Sequence, residues 1–171
     1  MEKSTDSPSS ESLEALGKFK LFAGFKAAEL ATLVSLAEEK NYAAGELIIR
    51  EGGLGESMFV ILAGEVVVFR EAQGKRVEFT RMRVGDSFGE LALVDDGPRS
   101  ASVAAVVPTR VLRITQDVVA VLAGVRPAAA IHLLRAIGKS LVARLRTGNQ
   151  RYLDIVLTGS IPIASSGDES A

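Results

Sequence analysis

The chain has no cysteine and no tryptophan, one histidine (His132), and aromatic residues make up only 5% of it. Without thiols there are no disulfides and no thiolate metal sites, which is compatible with a reducing cytosol. A single imidazole leaves little for a metal centre built on histidines, which argues against a metalloenzyme. No apolar run approaches the length of a membrane span, and the opening residues MEKSTDSPSS lack the apolar stretch of an export signal. A cytoplasmic location away from membranes is the resulting expectation.

What the chain does contain suits a small globular module. Its 171 residues are 47% apolar and 24% charged, enough for one domain with tails that buries a core without staples. Residues 1–12, rich in Ser, Asp, Glu and Pro, are expected to be a disordered tail, with the folded domain at 13–155 and a flexible tail at 156–171. Leu30, Leu33, Val34 and Ala37 recur at helical spacing and predict an amphipathic helix over 27–38. Phe19, Leu21, Phe22 and Phe25, just before it, are expected to pack on the barrel.

From Gly45 to Ile114 the pattern changes to short β-prone runs separated by glycines. Strands are predicted at 46–50, 57–63, 65–70, 75–82, 101–107 and 110–114. That spacing indicates a mainly β domain with flanking helices (α+β), a jelly-roll barrel of about eight strands. Thr115 reads as the N-cap of a following helix, and Pro127 opens a last helix whose apolar side runs through Ile131, Leu134, Ile137, Leu141 and Leu145.

The most informative stretch is FGELALVDDGPRSASV, Phe88 to Val103. A glycine turn opening a short helical segment offers unpaired N–H groups to an anion. Arg99, nine residues after Glu90, can form a bidentate, charge-assisted pair with phosphate oxygens, while an ionised Glu90 accepts from a sugar hydroxyl. Together these residues suit a cyclic sugar phosphate.

The segment resembles the phosphate-binding cassette of cyclic-nucleotide-binding domains, as found in bacterial catabolite activators and protein kinase A regulatory subunits. The resemblance rests on Phe88-Gly89-Glu90-Leu91-Ala92-Leu93, a short spacer, and Pro98-Arg99-Ser100-Ala101-Ser102-Val103, and extends more weakly from about Leu21 to about Tyr152. It implies that Glu90 holds the ribose 2′-hydroxyl, that Arg99 holds the exocyclic phosphate oxygens, and that backbone amides at Gly89, Leu91 and Ala92 complete a cradle flanked by Phe88, Ser100 and Ala101. It also implies a C-terminal helix that covers the base, with Arg144, Thr147 and Asn149 as lid residues. Gly52 and Gly64 match turn glycines of the family, whereas Gly53 stands where an acidic residue is common. The expected ligand is cAMP, with cGMP left open because Ser100 offers a hydroxyl beside the arginine.

Between Arg126 and Arg151 the last helix carries six cations and no acid. Such a face could meet nucleic acid or an acidic partner, but a solvated helix face is the favoured reading. The residues after Ile155 are too few and too rich in Gly and Pro for a DNA-reading helix-turn-helix, so no sequence-specific DNA binding is expected. A homodimer through the C-terminal helix stays open, with Gly138 and Gly148 weakening a continuous coiled coil. Of three function classes, a stand-alone cyclic nucleotide sensor that signals through this helix to an unidentified protein partner fits best. A cupin-like metalloenzyme lacks the histidines it needs, and an adaptor with an empty pocket would use the basic helix instead.

Overall fold

Alternating apolar positions cut by glycine turns assemble into two antiparallel sheets. The computed structural model describes residues 10–159. One sheet orders β1 (Glu38–Tyr42), β8 (Thr109–Thr115), β3 (Ser57–Ala63) and β6 (Ser87–Phe88); the other orders β2 (Leu47–Ile49), β7 (Ser102–Ala105), β4 (Glu65–Ala72) and β5 (Lys75–Arg83). They face one another across a core that takes Ile49, Val66 and Val103 from one sheet and Phe59, Phe88 and Val111 from the other. Phe59 and Phe88 stack with ring centroids 5.2 Å apart, fixing the strand that leads into the cassette. The eight strands match the expected jelly roll, as two four-stranded sheets without a closed barrel.

All six predicted strands form, with ends shifted by a few residues. The two unpredicted strands have clear physical causes. β1 reads EEKNY, with no apolar alternation, and is held by pairing with β8 from Glu38↔Arg113 to Tyr42↔Thr109. β6 is only Ser87–Phe88, too short for any periodicity, and exists because Phe88 pairs with Phe59. Gly64, at φ +91, joins β3 to β4 where a Cβ would lie 2.5 Å from the Thr109 hydroxyl and 2.6 Å from the Pro108 carbonyl, so both conformation and space demand glycine.

Helices frame the sheets. α1 (Ser10–Gly17) begins inside the stretch expected to be disordered, and residues 1–9 of that stretch lie outside the described residues. Leu16 accounts for the ordering, being only 6% exposed, because burying one leucine stabilises by about 1.5–3 kcal/mol. Leu21 and Phe22 are buried in a 3-10 turn, and Phe25 packs edge-on against Phe22 at 5.5 Å. α2 (Ala27–Leu36) carries the predicted amphipathic pattern with Leu30, Leu33 and Val34 buried. α3 (Gln116–Val125) starts at the predicted cap, where the Thr115 hydroxyl accepts from the Val118 N–H at 3.2 Å.

α4 (Pro127–Thr158) begins at the predicted proline and is continuous through Gly138 and Gly148, although each costs about 1 kcal/mol relative to alanine. It enters the stretch expected to be flexible, of which 160–171 lie outside the described residues. Contacts divide the chain into two compact units, one ending at Ala136 and the other beginning at Ile137. In the first unit Ala129, Ala130 and Leu133 of α4 are buried; in the second, every residue from Val142 to Gly159 is exposed.

Candidate ligand-binding site

The cassette is built around one left-handed residue. Gly89 has φ +76, and a Cβ there would lie 3.0 Å from both Arg99 Nη1 and Ile49 Cδ1, so the chain turns sharply out of β6 only because this position is glycine. The next four residues, Glu90–Leu93, form a 3-10 turn that buries Glu90 and Ala92 and leaves Leu91 45% exposed. Ala92 N donates to the Gly89 carbonyl at 3.2 Å, and Val94 N and Asp95 N both donate to Leu91 O, closing the turn.

Glu90 is 1% exposed. A carboxyl group so far from water is costly to bury, which makes this side chain a candidate for a polar ligand contact. Arg99 reaches back from the spacer. Its Nη1 donates to the Gly89 carbonyl at 3.0 Å and its Nη2 to the Ser57 carbonyl at 2.8 Å. The backbone around it is locked by a reciprocal pair with the β2–β3 turn, since Arg99 N donates to Gly53 O at 2.8 Å and Gly52 N to Arg99 O at 2.9 Å. Burial, and then the positive charge of Arg113, pull the Arg99 guanidinium below the usual arginine range. An anion placed beside it would oppose both effects.

A cavity of about 720 Å³, within the size range of small-molecule sites, opens next to Arg99. Its lining includes Lys40 and Tyr42 from β1, Ser57 from β3, Arg113 from β8 and Gln116 from α3, together with the acids Glu56 and Asp96. Ser57, 3% exposed, sits between two guanidinium groups. Its carbonyl accepts from Arg99, and its hydroxyl accepts from Arg113 Nε at 2.9 Å. Arg113 also reaches Glu38 at 3.4 Å. Burial raises the Tyr42 phenol above its ordinary range, and its side chain lines the cavity.

The sequence-derived residues fall into two groups. Phe88, Gly89, Glu90, Leu91, Ala92, Arg99, Ser100 and Ala101 share the cassette and its two ends; Ser100 is exposed and Ala101 half-buried. Arg144, Thr147 and Asn149 lie in the exposed later part of α4, where Thr147 donates to the Ala143 carbonyl of its own helix at 3.1 Å. Sequence reasoning missed Ser57, Arg113 and Gln116. Ser57 contributes a backbone carbonyl, which no residue type advertises, and Arg113 reads only as a charge in an apolar strand. Among the described residues no group of three or more His, Cys, Asp or Glu side chains is placed to hold a metal ion. None of their helices is long and apolar enough to cross a membrane.

Comparison with known proteins agrees with this geometry. Residues 39–123 match the family model of the cyclic nucleotide-binding domain. The chain is 28% identical over 146 residues to a CRP-like cAMP-activated global transcriptional regulator of Mycobacterium tuberculosis, an alignment covering 85% of this chain and 63% of that protein. It is 38% identical over 92 residues to a cAMP-dependent protein kinase regulatory subunit of Blastocladiella emersonii, covering 53% of this chain and 23% of the subunit. The chain therefore spans less than two thirds of the length of these relatives. Its structure resembles a cyclic nucleotide-binding domain from Methylobacillus flagellatus, with a TM-score of 0.73 at 27% identity over 89% of this chain and 84% of that one. It also resembles the catabolite activator protein of Thermus thermophilus, with a TM-score of 0.70 at 30% identity over 80% and 62%. Sheet order, a glycine-opened cassette and the family match converge on one assignment: the chain belongs to the cyclic nucleotide-binding domain family.

Proposed function

We propose that the chain is a cyclic nucleotide receptor, with cAMP as preferred ligand, which turns occupancy of its cassette into a change that a partner protein reads through the C-terminal helix. The observation that carries this reading is the Arg99 guanidinium, half-buried and spread across two backbone carbonyls of the cassette and β3. Carbonyls are neutral acceptors, so a cation held there keeps most of its affinity for an anion, and a phosphate pairs with it more strongly than either carbonyl does. Glu90, buried in the adjacent turn, supplies the acceptor for the ribose 2′-hydroxyl. Two relatives named for cAMP, one a regulator and one a kinase subunit, support the choice of nucleotide.

Binding shifts a population. Phosphate draws the cassette inward, apolar residues such as Leu91, Leu93 and Val94 repack, and the closed form gains in proportion to its differential affinity. The exposed Ser100 hydroxyl leaves cGMP as the competing ligand. A thermal-shift screen with cAMP, cGMP and divalent metals, followed by calorimetry, tests the proposal. Expected is a rise in melting temperature with cAMP, a smaller one with cGMP, and none with metals alone. No response to any cyclic nucleotide refutes the receptor, and cGMP binding more than about tenfold tighter, or about 1.4 kcal/mol, overturns the ligand choice.

A further inference from the structure

We infer that Gln116 is the positioning residue that joins the cassette to helix α3; the inference rests on reading the cassette as the ligand cradle. The last carbonyls of any helical turn have no partner within it and need one from elsewhere. For the cassette turn that partner is a side chain 24 positions away: Gln116 Nε2 donates to the Ala92 carbonyl at 2.9 Å. The same amide lies 3.4 Å from Asp96 Oδ1, in the spacer leading to Arg99. One side-chain amide thus touches both limbs of the cassette.

The root of Gln116 is fixed. It is the first residue of α3, immediately after the Thr115 cap, and its own N–H donates to the Glu56 carbonyl at 2.9 Å. A short chain of bonds then runs from the proposed anion site to the helix. Arg99 Nη1 and Ala92 N both donate to the Gly89 carbonyl, and the other end of the same residue, Ala92 O, accepts from Gln116. A ligand that draws Arg99 off Gly89 O changes what holds the turn, and the turn cannot shift without moving Gln116 or breaking its bond. The bond to Ala92 O joins two neutral groups and is directional, so it is screened less by salt than the ion pairs on the surface.

Gln116→Met tests this, since methionine keeps the length and removes the donor; Gln116→Asn keeps the amide and removes the reach. The readout is amide hydrogen exchange with and without cAMP, alongside calorimetry. In the parent, cAMP is expected to slow exchange in both the cassette (residues 90–95) and α3. With cAMP at a concentration that saturates each variant, the cassette is expected still to slow, while the response in α3 is lost, because the bonds that join the two segments are gone. An α3 response equal to the parent's in both variants overturns the inference.

A ligand-free arm decides the link independently of the receptor reading. Without nucleotide, either variant is expected to speed exchange at 91–95 by about two- to tenfold, leaving β4 unchanged. If the parent binds no cyclic nucleotide, the receptor reading falls while this arm still measures the bond. If cassette exchange is unchanged in both variants, the link itself is absent.

Discussion

The cassette and the second half of α4 both drew attention as sequence, yet they are physically opposite. In the cassette, Glu90 is 1% and Ala92 4% exposed, Gly89 occupies a left-handed conformation, and Arg99 is tied by main chain and side chain to two other segments. From Val142 to Gly159 every residue is exposed, including Leu145 at 63% and Tyr152 at 68%, and Thr147 bonds within its own helix. A binding constellation needs groups from different parts of the chain to converge with locked geometry. Arg99 is held in that way by bonds to three other stretches of the chain, so the proposed role of the cassette can be tested by single substitutions.

The largest expected effect follows from the most constrained residue. Arg99→Ala should weaken cAMP by about thirty-fold to several thousand-fold, since truncating one member of a desolvated, hydrogen-bonded charge pair costs about 2–5 kcal/mol. Calorimetry on the variant checks this, and binding within threefold of the parent would mean that the cassette is not the site.

Glu90 sharpens the picture. Glu90→Gln should cost about 1.5–3 kcal/mol with cAMP and much less with its 2′-deoxy analogue, because only the former has the hydroxyl. A double-mutant cycle with the two ligands isolates that contact. Equal losses for both would assign Glu90 to holding the turn.

The exposed helix should respond more weakly. Ending the chain after Leu141 removes Arg144, Thr147 and Asn149, the residues expected to read the base by stacking and hydrogen bonding, and should weaken cAMP by about three- to tenfold while ribose phosphate binding persists. An unchanged affinity, together with unchanged exchange in the intact helix on adding cAMP, would remove this segment from ligand recognition.

The start of α4 belongs with the constrained class. His132 Nδ1 lies 3.2 Å from Glu29 Oε2, and Lys26 N donates to the same oxygen at 2.9 Å. The backbone bond to Lys26, and secondarily His132, hold the Glu29 carboxyl below the usual carboxylate range. A lowered folded value means that the ionised group stabilises the fold above its unfolded value, about 4.3, and that this contribution fades as pH falls through the lower folded value. Glu29→Gln should therefore lower the melting temperature slightly at pH 7, with the gap to the parent closing below about pH 4. A gap that persists undiminished in acid would show that the side chain acts by shape, independent of its charge.

The legibility of this protein divides along the same physical line. The strands at 57–63 and 65–72 were readable because apolar runs between glycines are a local signal, and Thr115 and Pro127 were readable because caps are local chemistry. The glycine-opened turn of the cassette was legible for a related reason: Gly89, Glu90 and Arg99, the proposed anchors, lie within one short stretch of chain. β1 was hidden, since its EEKNY residues have no apolar rhythm and its pairing comes from β8, some 70 residues later.

The sequence by itself marked the candidate groups: a carboxyl, a guanidinium and, just before the carboxyl, the glycine that lets the backbone turn. Only the tertiary structure decided what surrounds them, because the Ser57 carbonyl, the Arg113 charge and the Gln116 amide reach Arg99 or the cassette by folding and not by adjacency. Backbone acceptors carry no sequence label, and a contact between residues 24 or 42 positions apart exists only once the sheets have set the register.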